Sequence, residues 1–372
     1  MVSHENTIST ILKGVLLGVL LMLVWFLGAR KVTDTLSSSP ENVTEETIFL
    51  DGALKNRQKM TVSTTFSIPL GNLDHQIGFM PYQEKVPPGW AQGALPTELY
   101  RSPSQITWIG DPYGPRLTGW NSNGKLEASL ALPFLRNEAA SGKEIVGYTL
   151  TPSADNGWFV LNNQNKKIYR LDSNGDVIQI LSVPLMLSDH RIVLTISPFF
   201  EVINDRWIFV TVESARQPFS TLKGFAGGSY LDTNWESFFL SLTGEVIGPL
   251  PEQTAILPFQ EGLISWTYEP GELSLQWFPD PLSLSHPQKT WIIRNPVWHY
   301  GGMIGTDVEN NIYFWADQST IGQIQTRLSE VRYMELPAGE KKFPVSISSD
   351  GEIGYILSNK QVLQVCFVKM TD

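Results

Sequence analysis

Residues 148–184 carry Tyr148-Thr149-Leu150-Thr151-Pro152, the turn Asp155-Asn156-Gly157, Trp158-Phe159-Val160-Leu161, Lys167-Ile168-Tyr169-Arg170-Leu171, the turn Asp172-Ser173-Asn174-Gly175-Asp176, and Leu181-Ser182-Val183-Pro184. Short runs rich in β-branched and aromatic residues, bounded by Asn-Gly turns, specify hairpins rather than helix. The unit is an apolar strand, a tight polar turn, a strand of large aromatics, a third strand, a second polar turn and a last strand ended by proline. Proline cannot donate to a ladder, so it belongs at a strand end or a sheet edge.

The unit recurs. Its first hairpin appears at Ile106–Ile109 with Leu117–Trp120, at 148–161, at Ile192–Ile196 with Trp207–Val210, and at Ala255–Leu257 with Leu263–Trp266. It returns as Glu309-Asn310-Asn311 leading into Ile312–Trp315, and as Val345–Ile347 with Asp350-Gly351 and Ile353–Ile356. Successive turns lie 43, 48, 57, 49 and 40 residues apart, the period of a four-stranded propeller blade. Pro133, Pro184, Pro251, Pro296 and Pro337 end the outer strands. The last copy stops after its third strand, Val362–Val368, and the missing strand has a candidate at the other end, Val62–Ile68 before Pro69. Pairing these two segments closes the array and removes its open edges.

These features resemble the superfamily of β-propellers with NHL-like or quinoprotein-like blades, most clearly over Tyr148–Pro184, and no particular family within it. The resemblance implies an all-β, six-bladed propeller over residues 61–372, with a seventh blade if Gly71–Pro96 forms an irregular one.

Composition narrows the function classes. With 42% hydrophobic and 17% charged residues the chain is too apolar for disorder, and its one cysteine, Cys366, cannot support a disulfide framework or a cysteine zinc cluster. A formal charge of −10 argues against nucleic acid as a partner.

The amino-terminal residues 1–10 read as a short polar tail. Residues 11–29 form an apolar run that would span about 28 Å as a helix, close to a hydrocarbon core. Lys13 can snorkel at one end, and Trp25 and Phe26 suit the opposite interface. Leu27 at the −3 position before a cut after Ala29, with Arg30-Lys31 following, favours a retained signal-anchor over a cleaved signal peptide. Residues 30–60 read as a polar stalk. Flanking charges nearly balance; a short polar tail before one span, with a Ser/Thr/Glu-rich segment after it, places the folded part on the extracytoplasmic side of a single-pass membrane protein.

Trp120, Trp158, Trp207, Trp266 and Trp315 fall on second strands and are expected in the packing between blades, whereas Trp90, Trp235, Trp277 and Trp298 are freer. Ser348-Ser349-Asp350-Gly351 lacks the spacing and the aromatic of a sialidase Asp-box, quinone-docking Gly-Lys-x-x-Trp repeats do not occur, and the histidines show no metal-ligand spacing. No catalytic residue or metal ligand can be named from the sequence.

Two insertions carry the recognition chemistry. Glu213–Glu236 offers Arg216, Phe219, Phe225, Tyr230 and Trp235, and Gly71–Pro103 offers Phe79, Tyr82 and Trp90, in both cases exposed aromatics on flexible backbone. The expected function is a protein- or glycan-binding or assembly module using loops on one face, with no cofactor. The alternative is a lactonase- or glycosidase-like propeller hydrolase with a metal or carboxylate site in its central channel, where calcium would suit oxygen ligands.

Overall fold

The computed structural model describes residues 44–49, 57–71, 75–77, 99–111, 115–135, 148–163, 165–187, 190–215, 233–250, 255–294, 296, 302–317, 319–337, 343–358 and 362–370. Apart from one 3-10 turn at Pro133–Leu135, the regular elements among them are strands.

β1 (Thr44–Phe49) and β2 (Gln58–Pro69) precede the first sheet, which holds β3 (Leu99–Arg101), β4 (Thr107–Asp111), β5 (Arg116–Trp120) and β6 (Leu126–Ala131) in chain order. β7 (Tyr148–Pro152), β8 (Trp158–Asn162), β9 (Lys167–Leu171) and β10 (Val177–Ser182) make the second sheet. β11 (Ile192–Ile203), β12 (Trp207–Ala215), β13 (Thr233–Ser241) and β14 (Val246–Ile247) make the third. β15 (Ile256–Phe259), β16 (Gly262–Glu269), β17 (Glu272–Phe278) and β18 (Lys289–Arg294) form the fourth, and β1 lies outside β18. β19 (Met303–Thr306), β20 (Asn311–Trp315), β21 (Thr320–Gln325) and β22 (Glu330–Glu335) share an eight-stranded sheet with β23 (Phe343–Ile347), β24 (Ile353–Ser358) and β25 (Val362–Met370).

β2 joins the two halves of that sheet. It runs antiparallel to β25, with Val62 opposite Val368, Phe66 opposite Val365 and Pro69 opposite Val362, while Gln58 and Lys59 pair in parallel with Met334 and Glu335 of β22. The amino-terminal strand therefore completes the last meander, as the sequence pattern expects, and it begins at Gln58, three residues before the expected boundary.

Two sequence expectations change. Part of the expected stalk is strand: in β1, Ile48 is buried against Phe259 and Trp291, and Glu46 pairs with Lys289 at 2.8 Å. An outermost strand keeps one face in water, so its composition looks like linker. The first copy also slips by one strand. Ile106–Ile109 falls on the second strand of its sheet, and the inner strand is β3, inside the stretch read as insertion. Residues 11–29 lie outside the described residues; among the described ones no helix is long and apolar enough to cross a membrane.

Each meander bonds to the next in a closed cycle. The Tyr148 hydroxyl donates to the Asp111 carbonyl (2.7 Å), the Ala154 N–H to Asp205 Oδ2 (2.9 Å), and the Asn204 amide to the Glu261 carbonyl. The Thr306 hydroxyl donates to the Pro258 carbonyl (3.2 Å), the Val308 N–H to the Ser349 carbonyl (3.2 Å), and Arg101 to Glu352 (2.6 Å). Asn204 and Asp205 both have positive φ, the backbone a tight hairpin needs, which aims their side chains at the neighbours on either side.

The core sits between sheets. Phe159, Leu161 and Ile168 of the second sheet interdigitate with Val210, Val212 and Phe238 of the third, and Trp291 of the fourth packs with Ile312 and Phe314 of the fifth. Each such side chain contributes about 1.5–3 kcal/mol on full burial. Trp120 and Trp158 are buried, and Trp207, Trp266 and Trp315 pack half-buried against these clusters; Trp120, however, ends β5, the third strand of its sheet and not the second as expected, because the first copy slips by one strand.

Candidate binding site

The first strands of the meanders, β3, β7, β11, β15, β19 and β23, face one another around a common space, and all of them line a cavity of about 350 Å³. Gly110 is what lets the first meander approach the second, because a Cβ there would come within 3.0 Å of Leu150 Cδ1. The Tyr148 hydroxyl, tied to the Asp111 carbonyl, locks that seam.

The wall between these two meanders is aromatic. Trp158 meets Tyr100 edge-on with ring centroids 5.6 Å apart, and Trp108 at 5.5 Å. Burial pushes the Tyr100 hydroxyl above its ordinary pKa, so it stays neutral. Its polar side-chain groups are the hydroxyls of Tyr100, Thr151, Thr306 and Ser346, the indole N–H groups of Trp108 and Trp158, and the carboxylate of Glu201. Glu201 is the single formally charged group among the described lining residues, and Ser346 Oγ is buried with no hydrogen-bond partner. No group of three or more His, Cys, Asp or Glu side chains among the described residues could hold a metal ion.

No protein-family model matches the chain, and no curated protein matches it either. Solved structures do. A putative exported protein from Bacteroides fragilis is 11% identical with a TM-score of 0.48, covering 89% of this chain and 100% of its own. A gluconolactonase from Xanthomonas campestris is 12% identical with a TM-score of 0.44, over 73% of this chain and 85% of its own. A member of the DUF4221 family from Bacteroides vulgatus reaches a TM-score of 0.51 at 10% identity, over 85% of this chain and 99% of its own. The fold is a β-propeller. At this identity the likeness is one of fold alone.

The propeller carries a second feature at the foot of one insertion. β12 ends at Ala215 and β13 begins at Thr233, and their ladder pairs Ala215 with Thr233 and Glu213 with Trp235. Under it, Arg191 Nε donates to Ser214 Oγ (3.0 Å) and lies 3.1 Å from Glu236 Oε1, while Ser214 donates to the same carboxylate oxygen at 2.6 Å. Arg191 and Ser214 are buried. This clamp fixes where the intervening chain leaves and re-enters the sheet.

Of the residues expected to bind, Trp235 is described: it sits on β13, 55% exposed, directly beside the clamp. Arg216, Phe219, Phe225, Tyr230, Phe79, Tyr82 and Trp90 lie outside the described residues, as does Trp298. Trp277 is structural, half-buried edge-on to Phe259. Sequence reasoning missed Tyr100, Glu201 and Ser346 and took Trp158 for packing only. Glu201 and Ser346 lie on the first strands β11 and β23, where repeat register could have marked them, whereas Tyr100 lies on β3, inside the stretch read as insertion.

Proposed function

We propose that the chain is a membrane-tethered, extracytoplasmic six-bladed β-propeller that binds a protein or glycan partner through loops on one face. The observation that carries this reading is the Arg191–Ser214–Glu236 clamp beneath exposed Trp235. Ordering a loop on binding costs free energy, and a loop whose two ends are already fixed loses less.

Propeller topology supports the single face. Inner strands run in one sense around the ring, so connections from second to third strands and from fourth strands to the next inner strand emerge on the same side. The 216–232 segment is of the first kind and the 72–98 segment, from β2 to β3, of the second. The six-blade reading takes β19–β22 and β23–β25 with β2, which share one eight-stranded sheet, as two blades beside the four other sheets. The tether rests on residues 11–29, and it would raise the local concentration of partners in the same membrane.

The test compares the intact chain in mild detergent with a variant in which residues 216–232 are replaced by a short Gly-Ser turn, and with Trp235→Ala. Glycan-array binding and fixed-stoichiometry co-purification from the native membrane should both fall in the variants. Capture unchanged by loop replacement refutes the reading. Protease protection in intact cells checks sidedness separately.

A further inference from the structure

The outer edges of the sheets are not protected alike. A strand at a sheet edge presents unpaired N–H and C=O groups, and folds blunt such edges with a covering strand, charge, proline or shortness. β1 covers the fourth sheet, and β2 lies between the last two meanders. β14 is two residues long and is soon followed by Pro249. β6 carries Glu127, with Lys125 just before it. β10 ends its sheet uncovered over six residues, and from Val177 to Leu187 the sequence has no Asp, Glu, Lys, Arg or His. Among the described residues, five of the twelve exposed large hydrophobic side chains fall in this stretch: Val177, Ile178 and Ile180 on the strand, and Leu185 and Met186 just beyond it. Exposed apolar surface concentrated in this way marks a contact site.

The bonding groups left over on β10 follow from its ladder. The Val183 N–H donates to the Lys166 carbonyl (2.9 Å), and Ser182, Leu181, Ile180 and Gln179 lie in unbroken register opposite Lys167, Ile168, Tyr169 and Arg170. In an antiparallel ladder alternate residues bond to the same neighbour, so Gln179, Leu181 and Val183 turn their backbone groups to β9, and Ile180 and Ser182 turn theirs outward. A bulge between Val177 and Gln179 lies before this stretch and leaves it regular. Leu181 belongs to the core shared with Val210 and Phe238, and the Gln179 amide donates to the Leu242 carbonyl, so that face meets the third sheet. Ile180 and Ser182 lie on the opposite face, exposed.

Charge and symmetry select the partner. Two chains of formal charge −10 repel, so copies can meet only along a strip free of charge, and β10 is such a strip. A twofold antiparallel contact sets a strand against itself, which requires it to complement itself. With the axis at Ile180, this residue exchanges both backbone bonds with its copy, Gln179 faces Leu181, and Asp176 falls opposite Pro184 instead of another acid. We propose that β10 pairs with β10 of a second copy, antiparallel about a twofold axis at Ile180, and joins two propellers rim to rim through one continuous sheet. A ladder of this length buries less than the roughly 1,600 Å² of a standard interface, so the dimer is reversible and its population rises with concentration. The contact is on the rim, so dimerisation and capture by the loop face are separate measurements.

The test is sedimentation velocity of the full chain in density-matched mild detergent over a wide concentration range, which should show reversible passage from one to two copies per particle. Ile180→Lys sets two ammonium groups across the axis and should raise the dissociation constant at least tenfold, whereas Ser129→Lys on β6 should leave it unchanged. In the same detergent a short bis-maleimide should crosslink the Ile180→Cys chain to a dimer and the Ser129→Cys chain not at all, since the native Cys366 is buried. A chain that stays monomeric throughout, including one whose β10 holds a strand of another protein instead, overturns the proposal. So does a dimer that a folded Ile180→Lys variant leaves unchanged, or crosslinking as strong from Ser129→Cys as from Ile180→Cys. If circular dichroism shows that Ile180→Lys has not folded, the crosslinking pair decides.

Discussion

The bond that closes the ring between the last meander and the first can be broken by one atom-for-atom change, Glu352→Gln. Arg101 sits on β3 and Glu352 on the turn before β24; their charged atoms are 2.6 Å apart, with side chains only 5% and 10% exposed. Arg101 also stacks 4.3 Å over the ring of Phe367 and reaches Thr64 Oγ1 at 3.5 Å, so it touches β25 and β2 as well. At an effective dielectric constant near 20 the pair attracts by about 6 kcal/mol, most of which offsets the desolvation of two buried ions. Removing one charge forfeits the attraction and keeps the other ion's desolvation, a loss of about 3–5 kcal/mol. Set against a total stability of roughly 5–15 kcal/mol, that lowers the urea midpoint sharply. The replacement Arg101→Met with Glu352→Leu should recover most of the loss, because it removes both ions together with the buried, unpartnered Arg101 Nε. Urea titration read by tryptophan fluorescence measures all three variants. A Glu352→Gln loss under about 1 kcal/mol, or a double variant worse than the single, refutes the assignment of this pair as the electrostatic seam of the ring.

Ser214→Ala should cost about 1–2 kcal/mol in the same urea assay, since Arg191 and Glu236 each lose a buried partner while keeping their direct contact at 3.1 Å. Gly262→Ala should cost at least about 2 kcal/mol, because the new Cβ would stand 2.0 Å from the Phe278 carbonyl oxygen and 2.8 Å from Pro279 Cα, both backbone atoms. Stability should decline in acid. The Ser153 hydroxyl bond holds Asp155 below its ordinary value of 3.8, and the Lys289 bond lowers Glu46 from 4.5. A depressed folded-state pKa contributes stability above the ordinary value and loses it as pH falls through the folded one, so Ser153→Ala should flatten the acid limb of melting temperature against pH.

The parts of the ring that were legible in the sequence are those where backbone conformation demands a particular residue. Asn156, Asn310, Gly175 and Gly351 all have positive φ and all mark turns that the repeat pattern finds. The closing strand was legible for a related reason, since its alternation and terminal proline fix the register against β25. Where the chain turns without such residues the pattern slips. Between β3 and β4 the left-handed position is filled by Gln105, with φ 65°, and the turn is closed by Ser102 N–H to the Ile106 carbonyl. Glutamine is no turn signal, so the repeat pattern locks onto the next recognisable turn and sets the first copy one strand outward.

The binding features were less legible because a cavity is a statement about what fails to fill space, and periodicity reports only which residues leave water. Trp158 shows the difference: it is 4% exposed, as packing requires, and it is also a wall of the channel. The 234–240 stretch shows it more sharply. Strand alternation places Glu236, Phe238 and Leu240 on one face of β13 and Trp235 with Phe239 on the other. Hydrophobicity alone would bury the tryptophan and expose the glutamate. The structure does the reverse, leaving Trp235 in solvent and turning Glu236 under the sheet to meet Arg191. A strand that desolvates an ion pair while leaving the neighbouring tryptophan outside breaks the local rule at two adjacent positions, and stability is the poorer for it. The arrangement makes physical sense if the aromatic is kept for a partner and the ion pair holds it still.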